Sequence, residues 1–315
     1  MSDTNQQMKD LEKSTDDTIE NKIDNETKKV VKPPKKKSIW MDVWRRLTKN
    51  KAAMFGLGIV GVLVLSAIFA DFIAPFGYAE QDLLNRFARP SGTHWLGTDE
   101  LGRDIFSRII HGSRISLFVG LLVIVFSVMF GGILGSIAGF YGGKTDNIIM
   151  RFTDIILAIP NLLLAIAVLA ALGNSLRNVV IAVSIGSMPQ YARILRASVL
   201  TLRDQEFVEA ARASGANDLR LITRHIVPNA LAPIIVQATL GVAGAILVVA
   251  GLSFLGIGLT PPSPEWGAML SSGREFIRDH PHLTTFPGLA IMIVILGLNL
   301  FGDGLRDALD PKLKD

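Results

Sequence analysis

The chain alternates between polar stretches and long apolar runs. Apolar residues dominate six segments, at about residues 54–74, 115–140, 152–172, 178–195, 231–259 and 284–302. About 20 residues of helix cross the ~30 Å hydrocarbon core of a bilayer. In lipid the backbone must satisfy its own hydrogen bonds, and segments of this length do so as helices. The pattern therefore predicts an all-α integral membrane protein with six transmembrane helices. Pro160 in the third span and Pro189 in the fourth remove helix hydrogen bonds and predict kinks. Gly131, Gly132, Gly135 and Gly139 in the second span recur at a spacing that lets helices approach closely.

Before the first span, Trp40, Val43, Trp44 and Leu47 recur at helical spacing among Arg45, Arg46, Lys49 and Lys51. This predicts an amphipathic interfacial helix over 38–51, with Trp at headgroup depth. Residues 1–37 hold eight acids, nine lysines and the run Lys32-Pro33-Pro34-Lys35-Lys36-Lys37. Such a segment buries too little apolar area to offset chain entropy, so it is expected to be a disordered charged tail. Its lysines suit anionic headgroups. With the N-terminus inside, the inside loops near the membrane carry eighteen Lys and Arg against eight outside. That asymmetry predicts cytoplasmic N- and C-termini.

Composition supports the pattern. Charged residues are 19% of the 315, below the roughly 25% of an average soluble domain, and 49% are apolar. The net charge of +4 does not point to nucleic acid, because long uncharged runs separate the basic residues. Cys is absent, which excludes disulfides, thiolate metal sites and cysteine nucleophiles.

Catalytic signatures are missing. There is no Walker A loop, no Gly-x-Ser-x-Gly and no His-Glu-x-x-His. No enzyme activity or bound cofactor is expected of the chain, so any energy for transport must come from a partner. The spans also lack a central ionisable group, which argues against a proton- or sodium-driven carrier. The polar residues in or beside spans are Asn161, Gln237 and Asn299. Each suits a pathway lining, and each equally suits an interhelical hydrogen bond. His280-Pro281-His282 beside Asp279 is a weak metal pattern. Residues 99–114 fit an amphipathic helix on the outer surface, with Ile105, Phe106, Ile109 and Ile110 on its apolar face. Residues 261–267, with Trp266, suit the closure of an outer mouth or a contact with an external partner.

The polar loop 196–230 carries the sharpest signal. Asp204 is placed to cap a short helix through Glu209-Ala210-Ala211, and Gly215 to end it in a left-handed conformation. A second helix is expected from Asn217-Asp218 to Pro228. The product is helix, turn, helix between two spans. Its small-residue face suits docking into a groove on a soluble partner.

Glu209-Ala210-Ala211, Gly215 and His225-Ile226-Val227-Pro228-Asn229 resemble the EAA loop of bacterial ABC importer permeases. His225 and Val227 depart from the general pattern and are similar to its peptide and nickel branch. Gly97-Thr98-Asp99-Glu100-Leu101-Gly102-Arg103-Asp104 resembles the C-type permease of dipeptide and oligopeptide systems. So do Ser253-Phe254-Leu255-Gly256-Ile257-Gly258, Pro261-Pro262-Ser263-Pro264-Glu265-Trp266-Gly267, and the stretch from Gly302-Asp303-Gly304 to Asp310-Pro311. The resemblance covers about residues 40–311.

The resemblance implies a type I ABC importer permease fold over 52–311 in the inner membrane. It implies a homologous second permease subunit, two ABC ATPase subunits that hold ATP and Mg, and an extracytoplasmic substrate-binding protein. Glu209, Ala210, Ala211, Gly215 and Pro228 would then couple to an ATPase. The implied substrate is a peptide. A nickel or metal-chelate importer shares the motifs, and an ATPase-independent secondary carrier is the alternative of another class.

Overall fold

The computed structural model describes residues 39–309. The expected charged tail, its lysine run and the residues from Asp310 on lie outside them, as does the side chain of Trp40. The chain divides into two compact units at Arg45 and Arg46. The helix α1 (Ile39–Lys49) begins in the first unit. It is the amphipathic helix that the spacing predicts, with Val43 and Leu47 buried and Trp44 exposed.

The second unit is helical throughout its described elements. In it, α2 (Lys51–Ile68) and the single turn α3 (Ala70–Ile73) lead to a long loop. Then come α4 (Ile105–Tyr141), α5 (Gly143–Leu157), α6 (Asn161–Leu172) and α7 (Leu176–Leu202). The loop region holds α8 (Glu206–Ala213) and α9 (Asp218–Arg220). The remainder is α10 (Leu231–Phe254), α11 (Trp266–Gly273) and α12 (His282–Leu309).

Four helical stretches are long and apolar enough to cross a membrane: α2, α4, the stretch from α9 through α10, and α12; a fifth arises if the bent pair α5 and α6 is one span. The count of six is therefore not reached by length and composition alone. The helix at the fourth expected span, α7, is 27 residues long, but Asn178, Gln190 and Arg193 dilute its apolar character. It packs along α4, so protein rather than lipid covers much of it.

The helix boundaries differ from the hydrophobic pattern for physical reasons. The second span begins ten residues earlier than expected, because Asp104 caps α4 by accepting from the Ser107 amide at 2.8 Å. Residues 99–104 are thus a loop, and the helix expected over 99–114 is the first part of α4. The third span is not merely kinked. Pro160 separates α5 from α6, and the two meet at 88°. Pro189, in contrast, stays inside a continuous α7. The fifth span ends at Phe254, where Gly256 takes φ +79°.

Close helix contacts occur where glycine permits them. Gly131, Gly135 and Gly139, one turn apart on α4, face Met188, Ala192 and Arg196 of α7. A Cβ on Gly135 would lie within van der Waals overlap of the Ala192 carbonyl, so that side of α4 must be bare. Side chains from α4, α6, α7 and α10 fill the middle of the bundle, including Val119, Leu169, Val183 and Leu252. Large apolar residues such as Phe55, Val62, Phe118, Phe130 and Met292 point outward. So much exposed apolar surface is what a bilayer or a partner subunit covers.

Candidate functional site

The loop between α7 and α10 is folded onto the bundle rather than free. Val208, fully buried, anchors α8 among Leu195, Val199, Leu221, Ile226, Ala230 and Ile234. Ala211, one turn further, packs against the same cluster. The opposite face holds Phe207, Glu209, Ala210 and Ala213, all exposed. Among the described residues the Glu209 carboxylate makes no hydrogen bond or ion pair, so it is available to a partner.

Both ends of α8 have physical explanations. Its N-cap is Gln205, not Asp204 as expected; Asp204 instead meets the Arg203 guanidinium at 3.3 Å. Its C-terminus closes as a Schellman motif. The Ala216 amide donates to the Ala211 carbonyl at 3.1 Å, and the Gly215 amide to Arg212 at 3.0 Å. Gly215 sits at φ +85°, the left-handed conformation anticipated for it. Asn217 then caps the next helix by accepting from the Arg220 amide at 2.9 Å. From there α9 widens into a π turn (Leu221–Ile226) and a 3-10 turn (Val227–Ala230), with Pro228 in the latter. The segment runs without a gap into α10.

Ion pairs tie this end of the bundle together. Arg196 of α7 clamps Asp146 of α5 with two bonds of 2.5 and 2.6 Å. Arg203 donates to the Gly139 carbonyl of α4 at 3.1 Å, and Arg193 pairs with Asp154 at 2.6 Å. These charge-assisted contacts join α7 and its C-terminal end to α4 and α5.

Of the four candidate pathway residues, the structure brings two together. Asn161 and Gln237 line one cavity of about 260 Å³ with Ser187, Gln190, Tyr191 and Gly244. The break at Pro160 places Asn161 there, as the first residue of α6. Its Nδ2 reaches the Ser187 hydroxyl at 3.4 Å, and its Oδ1 is buried without a hydrogen-bond partner. Asn299 lies exposed on α12, outside this cavity. Trp266 is fully buried; its indole donates to the Ile109 carbonyl of α4 at 3.1 Å. It fastens α11 to α4.

At the far end of α4 the 97–104 loop is a buried polar knot. Asp99 accepts from the Arg103 Nε at 2.6 Å and lies 3.6 Å from the Arg108 guanidinium. Arg103 also meets Glu100 at 2.8 Å, and Arg108 donates to the Tyr78 carbonyl at 2.9 Å. Gly102, at φ +73°, touches the Asp82 backbone so closely that no side chain fits. Nearby, Glu265 caps α11 by accepting from the amides of Gly267 and Ala268 at 2.9 and 2.8 Å. Burial pushes its carboxyl above the usual range. His280 stacks on Phe87 at 4.5 Å, and among the described residues no group of three His, Cys, Asp or Glu is placed to hold a metal.

Sequence reasoning missed Phe207, Ser187, Gln190 and Tyr191. Phe207 had a signal, a large apolar residue inside a polar loop. The other three had none, since only the fold brings α6, α7 and α10 to one cavity.

Residues 131–315 match the family described as the binding-protein-dependent transport system inner membrane component. Residues 38–90 match the N-terminal TM domain of oligopeptide transport permease C. The chain is 51% identical to the dipeptide transport system permease protein DppC of Alkalihalophilus pseudofirmus, over 88% of this chain and 91% of that protein. It is 44% identical to the glutathione transport system permease protein GsiD of Pectobacterium atrosepticum, over 90% of this chain and 95% of that protein. A chain from the inward-facing MetNI methionine ABC transporter superposes with a TM-score of 0.53 at 17% identity. That likeness covers 65% of this chain and 98% of the other. It shows the type I importer permease fold, while the family match and the apolar helices place the chain in the inner membrane as a multi-pass protein.

Proposed function

Because the chain belongs to the inner membrane components of binding-protein-dependent transport systems, we propose that it is one half of the translocation pathway of a peptide importer. The relatives named for dipeptide and glutathione transport support a peptide as cargo. These relatives are named for peptides, not for a metal, and His280 is engaged in stacking, so the nickel alternative is not favoured. A homologous permease subunit supplies the other half, two ATPases bind ATP and Mg beneath, and a substrate-binding protein docks above.

The observation that carries the mechanism is the α8 knob. It is anchored from within by Val208 and leaves Glu209, Ala210 and Phe207 outward. In this assignment α8 rests in an ATPase groove, where Glu209 makes a charge-assisted contact. Gly215 sets the angle at which the knob leaves the bundle, and Pro228 stands where the loop joins α10. Closure of the ATPases on ATP pulls the knob, and the Arg196–Asp146 and Arg203–Gly139 contacts carry the displacement into α5, α7 and α4. The loop side is then cytoplasmic, as are both termini, and the 97–104 knot faces outward.

The test is uptake by a strain deleted for this chain, offered labelled di- to hexapeptides and labelled nickel in parallel. Loss of peptide uptake alone is expected. The intact gene should restore it and a Glu209/Gly215 double variant should not. Loss of nickel uptake alone would overturn the peptide assignment.

A further inference from the structure

The cavity between α6, α7 and α10 has an unusual polar character for its place in the bundle. Asn161 comes from the break before α6, Ser187 and Gln190 from α7, and Gln237 from α10. No ionisable group other than the Tyr191 phenol lines it, and that hydroxyl reaches the Gln237 carbonyl at 3.4 Å. Three carboxamides and two hydroxyls therefore line it without a charge. Asn161 turns its Oδ1 against Gly186 of α7 and its Nδ2 toward the Ser187 hydroxyl.

Chemistry narrows the occupant. A carboxamide both donates and accepts, as a peptide unit does. Three such groups match the N–H and C=O pattern of an extended main chain, and they impose no charge preference on its side chains. An ion would find no counter-charge here. An apolar ligand would strand the amides. The volume of about 260 Å³ is below the roughly 300–1,000 Å³ of pockets that enclose a whole small ligand. It suits a short stretch of chain in passage.

We propose that this cavity binds the peptide main chain during transport, with the Asn161, Gln190 and Gln237 carboxamides pairing with its peptide units. This rests on the peptide assignment above. It adds a reason why one permease passes many sequences: recognition is confined to what all peptides share.

Gly244 offers a clean test. It lines the cavity, and a Cβ there meets nothing within 4 Å. Gly244→Leu therefore fills the cavity without a clash at its root, and leucine is a better helix former than glycine. The complete importer is reconstituted in vesicles with its binding protein and tested with labelled alanine peptides of two to six residues. Peptide delivered per ATP hydrolysed is the readout. Asn161→Leu and Gln237→Leu should each lower that ratio about tenfold, the loss expected from one or two hydrogen bonds. Gly244→Leu should lower it at least as far. An unchanged ratio in Asn161→Leu and Gly244→Leu would overturn the proposal. So would uptake and hydrolysis falling together, which marks the residues as packing only. Absence of any peptide uptake by the unaltered complex overturns the peptide assignment itself.

Discussion

At the scale of single residues, Gly215 makes the sharpest demand on chemistry. Its φ of +85° is open to glycine, tolerable for asparagine and strained for a β-branched residue. No atom would touch a Cβ there, so the cost is backbone strain alone, on the order of 1–2 kcal/mol. Uptake should therefore fall in the order Gly, Asn, Ala, Val, while membrane levels of the protein stay constant. A Gly215→Val importer with normal uptake would remove Gly215 from the coupling role. The position was legible in the sequence because a glycine after a short helical pattern has few other uses. The cap at the other end was not. Asp204 and Gln205 are neighbours, and only the fold showed that Arg203 engages the aspartate.

Glu265 makes a second residue-scale prediction. Burial raises its carboxyl pKa in the folded protein. The fold then tolerates the proton better than the unfolded chain does. Its ionised form lowers stability as pH rises from the ordinary carboxylate value through the raised one. Glu265→Gln should flatten that part of the pH dependence of thermal melting in detergent. Glu265→Ala should cost about 1 kcal/mol more than Gln through the lost cap.

At the scale of elements, the glycine row on α4 decides how closely α7 can lie. A Cβ at Gly135 would press on the Ala192 carbonyl, which is backbone and cannot swing aside. Gly135→Leu should destabilise the subunit by about 1–3 kcal/mol, as overpacking does. Gly61→Leu on α2, where a Cβ meets open space, is the control and should melt like the parent. Spacing alone had marked the α4 glycines for packing. Hydrophobic pattern could not separate a kink from a break, though. Pro160 and Pro189 look alike in sequence, yet only the first divides its helix. The difference lies in surroundings, since α7 is held along its length by α4 whereas α5 and α6 turn apart.

At the scale of the whole molecule, the family was legible in motifs spread along the chain, and the fold followed from it. The span count was less so: the apolar pattern offers 178–195 as a span, yet α7 carries too many polar residues to qualify by length and composition. Assembly supplies the prediction proper to this scale. The chain, purified under mild conditions, should bring down two ATPase subunits and a second permease. Isolation as a lone carrier would instead favour the ATPase-independent alternative.

One dimension of the molecule has a mechanical meaning. At about 1.5 Å per residue, the 37 residues of α4 extend for about 55 Å, well beyond the ~30 Å of hydrocarbon. The polar knot and Trp266 grip one end, and Arg203 grips the other. In the proposed importer such a rod would pivot like a seesaw. A tilt of about 10° around its middle carries each tip some 5 Å in opposite directions, about one helical pitch. In the proposed importer, a push delivered at the far rim would thereby reach the loop between α7 and α10 through a rod whose middle, at Ile124, lines the polar cavity.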